Sequence, residues 1–198
     1  MTRLTPLTPA QLSEAQRQVY EAITGGKRAS GPRLFPVTAA DGSLHGPFNA
    51  MLVSPALGQS LQRVGEILRF ESTLSASVRE LVVLMISREW RCEYEWHAHV
   101  AVARHNGMPQ PTIDQLRSGE LPDGLDQEQT AAYHLCADLL RDRAVSDEVY
   151  RAASEVFDER GLVELVFLFG YYTALAVSLN TFATPLPPGV EPAFSAHQ

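Results

Sequence analysis

The chain has 198 residues, 45% of them apolar and 20% charged, with a formal net charge of −7. That length and balance suit one soluble domain with a sizeable core. The negative charge, with no more than two basic residues adjacent, excludes a surface for nucleic acid or an anionic membrane, because both need concentrated positive charge. Lys27 is the only lysine and sits in a glycine-flanked stretch, GGKRASG, of mobile-loop character. A Schiff base needs a lysine desolvated in a pocket, so pyridoxal-type chemistry is not expected. Cys92 and Cys136 form no C-x-x-C pair and no disulfide framework. The N-terminus lacks the apolar core of a signal peptide, so a cytoplasmic protein is expected.

A first helix is predicted over 8–24. Thr8 stands at the N-cap, Pro9 at the first helical position and Gln11 three residues after the cap. Leu12, Ala15, Val19 and Ile23 supply its apolar stripe. Residues 25–47 read as a long loop, and long loops in compact domains are often functional. A helical core is expected over 48–187. Residues 48–71 are helical around Ser54-Pro55, with Leu57, Leu61, Val64 and Leu68 as the stripe. A helix over 76–89 buries Val78, Leu81, Val82, Met85 and Ile86. The next, 92–105, is stopped by Asn106-Gly107 and Pro109. Shorter helices fit 110–118, 126–143 and 146–159. Gly161 sets off a long apolar helix reaching about Ala183. Its stretch Leu162–Leu179 carries Glu164, Gly170 and two tyrosines, so it reads as a core or interface helix and no membrane span is expected. Residues 188–198 form a loose tail. No segment shows sustained strand alternation, and the fold class is all-α. Glu80-Leu-Val-Val-Leu echoes Glu164-Leu-Val-Phe-Leu, through either duplication or chance.

The densest chemistry lies in C-E-Y-E-W-H-A-H, Cys92 to His99. A helix turns about 100° per residue, so Cys92, Glu95 and His99 share one face while Glu93 and His97 fall elsewhere. His97 and His99 diverge on a helix and cannot share an ion, and no H-E-x-x-H motif is present. Neither a metal nor another cofactor is expected. Bland roles exist for each residue. Glu80 fits the capping box of Ser77, Glu95 can pair with His99 or a nearby arginine, and Cys92 can be a small buried hydrophobe. Tyr94 and Trp96 suit core or pocket wall.

The motifs H-G-P-F-N at 45–49, S-P-A-L at 54–57, R-E-L at 79–81, E-Y-E-W-x-x-H at 93–99 and Y-Y-T-x-x-x-x-x-L-N at 171–180 together resemble the carboxymuconolactone decarboxylase family, relatives of the alkylhydroperoxidase D-like proteins. The resemblance covers residues 8–187. It implies an alkylhydroperoxidase D-like helical bundle, with an antiparallel helix pair carrying the site and assembly as a homotrimer or homohexamer. The peroxidase branch carries C-x-x-C-x-x-x-H with a glutamate twelve residues upstream. Cys92, His99 and Glu80 match that pattern, but Glu95 stands where the second cysteine belongs. A lone thiol cannot complete an internal dithiol cycle. The resemblance therefore implies the decarboxylase-like branch: a cofactor-free lyase or isomerase acting on a small carboxylated lactone or related cyclic acid. Its implied catalytic residues are Glu80, Glu95, His99 and Cys92. Its implied substrate contacts are His45, Tyr94, Trp96, Tyr172 and Asn180. A thiol-dependent peroxidase and a non-catalytic oligomeric binding protein are the alternatives.

Overall fold

The structure, a computed structural model, describes residues 2–26 and 34–194. Lys27 and the loop expected around it lie outside the described residues. Among the described residues, every regular element is a helix: α1 Glu14–Gly25, α2 Phe48–Val53, α3 Pro55–Phe70, α4 Ala76–Glu89, α5 Glu93–His105, α6 Gln110–Ser118, α7 Gln127–Asp142, α8 Asp147–Ser154 and α9 Glu159–Thr181. The one extended pairing is an isolated antiparallel bridge between Thr38 and Leu44.

The centre is α4, which packs against α5, α6, α7 and α9. Nine of its fourteen residues are buried, including Val78, Leu81, Val82, Leu84 and Ile86. A helix that is apolar nearly all round can only be a core helix. Three residues join α4 to α5, and Arg91 takes a left-handed φ of 47° to reverse the chain. This antiparallel hairpin is the expected helix pair. On the far side α1 packs on α2 and α3, while α9 lies across α4, α3, α5 and α8.

Four local expectations differ from the structure. Thr8 and Gln11 close only a short 3-10 turn, Pro9–Gln11, and α1 starts from a second cap, Ser13, with its own box to Gln16. On α3 half of the predicted stripe is turned outward: Leu57 is 58% exposed and Val64 39%, while Leu61 packs on the core and Leu68 is buried. The buried face is Gly58, Gln62, Gly65 and Leu68. A Cβ on Gly58 would stand 2.0 Å from the Met51 carbonyl oxygen, so α2 crosses where only glycine fits. Helix α8 stops at Ser154, and Gly161 lies inside α9, donating its N–H to the cap Asp158 at 2.7 Å. The tail is anchored through residue 194. The Ala193 and Phe194 amides donate to the Glu93 carboxylate at 2.7 and 3.0 Å, and Phe194 packs edge-on to Trp96.

Candidate active site

Two helices and one turn build the site. Ser75, not Ser77, caps α4 by accepting from the Val78 amide. Glu80 is thereby free of any capping box and projects inward, 5% exposed. Across the hairpin, α5 buries Glu95 at 3% and His99 at 7% exposure. Glu80 Oε2 lies 2.7 Å from His99 Nδ1. That contact occupies one ring nitrogen and leaves Nε2 for a ligand. The His99 ring stands edge-on to Tyr172 of α9, with centroids 5.0 Å apart.

Glu95 does not bond His99. Its neighbour is Ser87, whose Oγ lies 3.3 Å from Glu95 Oε2 and 2.7 Å from the Val83 carbonyl oxygen. A hydroxyl has one proton, and the shorter contact claims it. The longer Ser87–Glu95 contact is therefore the weaker of the two and acts only modestly to lower the Glu95 carboxyl. Burial outweighs it and pushes the Glu95 carboxyl well above its ordinary range. Two carboxyls on neighbouring helices thus differ in their surroundings. Glu80 is hydrogen-bonded to imidazole, and Glu95 is buried against a serine hydroxyl.

Cys92 occupies the N-cap of α5. A helix N-terminus lowers a thiol pKa, but here burial and the nearby Glu95 carboxyl win and push it up to about 12. Tyr94 is likewise pushed up to about 12 by burial, and burial also raises Tyr172.

A cavity of about 60 Å³ opens onto these groups. Glu95, Ala98 and His99 form its floor; Tyr94, Tyr171, Tyr172, Phe35 and Phe48 its aromatic walls; Arg69 of α3 one side. Glu95, His99, Tyr94 and Tyr172 are therefore brought together as the sequence suggests, with Glu80 one hydrogen bond behind. The other candidates lie elsewhere. Cys92 is buried and does not line the cavity. Trp96 packs in the core against Phe194. Asn180 is exposed and donates to the Trp90 carbonyl at 2.7 Å, tying α9 to the α4–α5 turn. His45 lines a separate cavity of about 260 Å³ beside the N-terminal segment, with only Pro47 common to both. Gly46 explains the separation: its φ is +62°, and a Cβ there would meet the Tyr94 ring at 2.6 Å. Sequence reasoning missed Arg69 and Ser87. Arg69 follows an unbroken apolar pattern on α3, and nothing in the local sequence marks Ser87 as the Glu95 partner. Among the described residues no group of three or more His, Cys, Asp or Glu is arranged to hold a metal ion.

The sequence profile of the Carboxymuconolactone decarboxylase family matches residues 55–138. This segment is similar to that family over less than half of the chain. It runs from α3 into α7 and so contains Arg69, Glu80, Ser87, Glu95 and His99. Tyr172 is supplied from outside it, by α9. The fold is that of AhpD-like proteins. The alkylhydroperoxidase AhpD core of an uncharacterized peroxidase-related protein from Ralstonia eutropha JMP134 superposes with a TM-score of 0.74, at 16% identity over 94% of this chain and 93% of that one. A cysteine-to-alanine variant of the debrominase Bmp8, in complex with 2,3,4-tribromopyrrole, gives 0.70 at 11% identity over 95% and 93%. A peroxidase-related protein from Silicibacter sp. TM1040 gives 0.69 at 16% identity over 93% and 91%. No curated protein matches the sequence.

Proposed function

We propose that this protein is a cytoplasmic, cofactor-free lyase or isomerase that acts by proton transfer on a small carboxylated lactone or related cyclic acid. The observation that carries this reading is the split between its two carboxyls: Glu80 held by His99 at 2.7 Å, and Glu95 buried on the cavity with its carboxyl pushed up by that burial. Pairs of titratable groups pushed apart by their surroundings assign acid and base roles.

In the decarboxylation form, the bond from the ring carbon to the carboxylate breaks and CO₂ leaves. The electron pair stays on the ring and spreads to the lactone carbonyl as a dienolate, so no cofactor is needed as an electron sink. His99, held by Glu80 through Nδ1, serves through Nε2 as the hydrogen-bond donor to the developing oxyanion. Glu95 then gives its proton to the ring carbon and recovers one from solvent. Aromatic walls exclude water and suit a flat ring. The bromopyrrole bound by the debrominase shows that a protein of this fold takes a five-membered ring.

The test is turnover of a carboxylated butenolide, followed by CO₂ release. We expect Glu95→Gln and His99→Asn each to lower kcat by about 10²–10⁴-fold, the usual contribution of a positioned acid or base. Unchanged turnover in both would sink the assignment. A thiol peroxidase reading draws on the peroxidase-related neighbours. Against it stand the Cys92 thiol pushed up to about 12 and its place outside the cavity lining. Cys92→Ala should keep turnover within about threefold, and the wild type should consume no peroxide with dithiols. Saturable binding of lactones without product would instead favour a binding protein. The stripe of exposed apolar residues on α9 supports a homotrimer or homohexamer.

A further inference from the structure

Arg69 stands out among the arginines. On the surface, Arg63 engages Glu66 and Glu71, Arg141 engages Asp138 and Asp142, and Arg160 engages Glu164. Arg69 is half-buried in the cavity wall and makes no ion pair among the described residues. Arg79, near enough to Arg69 for the two charges to repel, spends its guanidinium on the Leu74 carbonyl. The carboxyls within the site have other partners, Glu80 in His99 and Glu95 in Ser87. A guanidinium taken partly out of water without a counter-ion is costly unless a ligand completes it.

We propose that Arg69 is the specificity-determining residue of this cavity and that its guanidinium receives a carboxylate, or a similar planar anion, carried by a ring-sized substrate. The planar fork of arginine binds carboxylate through two parallel N–H donors, which fixes the ring's orientation as well as its charge. The cavity volume of about 60 Å³ holds about four to six water-sized groups, the size of one small ring. With the anion at Arg69, the ring lies between aromatic walls with its remaining edge toward His99 and Glu95. A guanidinium gripping a departing carboxylate would favour the ground state over the transition state. The anion at Arg69 is therefore one that stays on the ring. The inference rests on the proposed lyase reading for the substrate's ring and reaction; the anion site rests on Arg69 alone.

The probes are furan-2-carboxylate and furan-2-carboxamide, equal in shape and different in charge. Binding to the full chain is read by calorimetry at low salt. The carboxylate is expected to bind saturably and at least tenfold tighter than the carboxamide. Arg69→Gln should remove at least tenfold of that affinity, Arg69→Lys should retain part of it, and added salt should weaken it. Arg63→Gln, at the surface, should leave it unchanged. Equal affinity for the two probes, no binding of the carboxylate, or undiminished binding in Arg69→Gln would overturn the proposal. If Arg69→Gln fails to fold, Arg69→Lys and the salt dependence decide the same point. Carboxylate binding through Arg69 without turnover of any lactone would defeat the lyase reading and keep this one. Turnover with an unaltered KM in Arg69→Lys and Arg69→Gln would do the reverse.

Discussion

Glu95 is where single-residue physics has the largest measurable consequence. Its carboxyl is raised by burial, so the folded state holds its proton at pH values where the unfolded chain has released it. A raised carboxyl pKa gives stability that is full below the unfolded value, near 4.5, and is lost as pH rises toward the folded value. Glutamine cannot lose a proton and keeps the same shape. Urea unfolding should therefore show wild type losing stability relative to Glu95→Gln as pH rises above 4.5, at about 1.4 kcal/mol per unit of difference between the two pKa values. Parallel curves for the two proteins would mean that Glu95 is ionised in the fold. Spacing alone placed Glu95 and His99 on one face, and the structure keeps them there. Spacing could not show that their partners, Ser87 and Glu80, both come from α4. That pairing depends on how two helices cross, which a one-dimensional pattern does not contain.

Among the elements, the legible features were those with a strong period or a stop signal. The hairpin of α4 and α5, the ends at Asn106-Gly107 and the start at Pro55 all follow from local rules. What misled was half of the α3 stripe, Leu57 and Val64, which face outward. Periodicity gives weight to large apolar side chains, whereas the buried face of α3 is made by Gly58 and Gly65 with Gln62 and Leu68. Small residues permit close approach and leave almost no hydrophobic signal. Gly58→Ala tests this directly. In an isolated helix the change gains about 1 kcal/mol. Here the new Cβ would fall 2.0 Å from the Met51 carbonyl oxygen, and backbone cannot rotate aside as a side chain can. Overpacking of this kind costs about 1–3 kcal/mol or more. A net loss of stability is expected in denaturant unfolding. It should be accompanied by weaker furan-2-carboxylate binding, because Arg69 and Gly65 ride on the same helix. A stabilised Gly58→Ala protein would show that α2 and α3 do not meet this closely.

At the scale of the molecule, α9 poses the remaining question. By length and composition it is apolar enough to cross a membrane, yet only one side of it is buried, by α3, α4, α5 and α8. The buried side carries Leu162, Leu165, Leu168, Leu175 and Leu179. Outward lie Val163, Val166, Phe167 and Val177, with Phe167 66% exposed and Val163 55%. These positions recur at three- and four-residue steps with exposed Gly170 and Ala174 between them, a stripe suited to a second helix. The homo-oligomer proposed above would cover this stripe with another copy of the chain. Phe167→Asp places a charge at the middle of that stripe without touching the cavity lining. Sedimentation equilibrium should show wild type as a trimer or hexamer of the 21.8 kDa chain and the variant shifted toward monomer. Far-ultraviolet circular dichroism should be unchanged, because Phe167 lies outside the core. A wild type that sediments as a monomer, or a variant with undiminished mass, would leave the α9 stripe without a partner of its own kind.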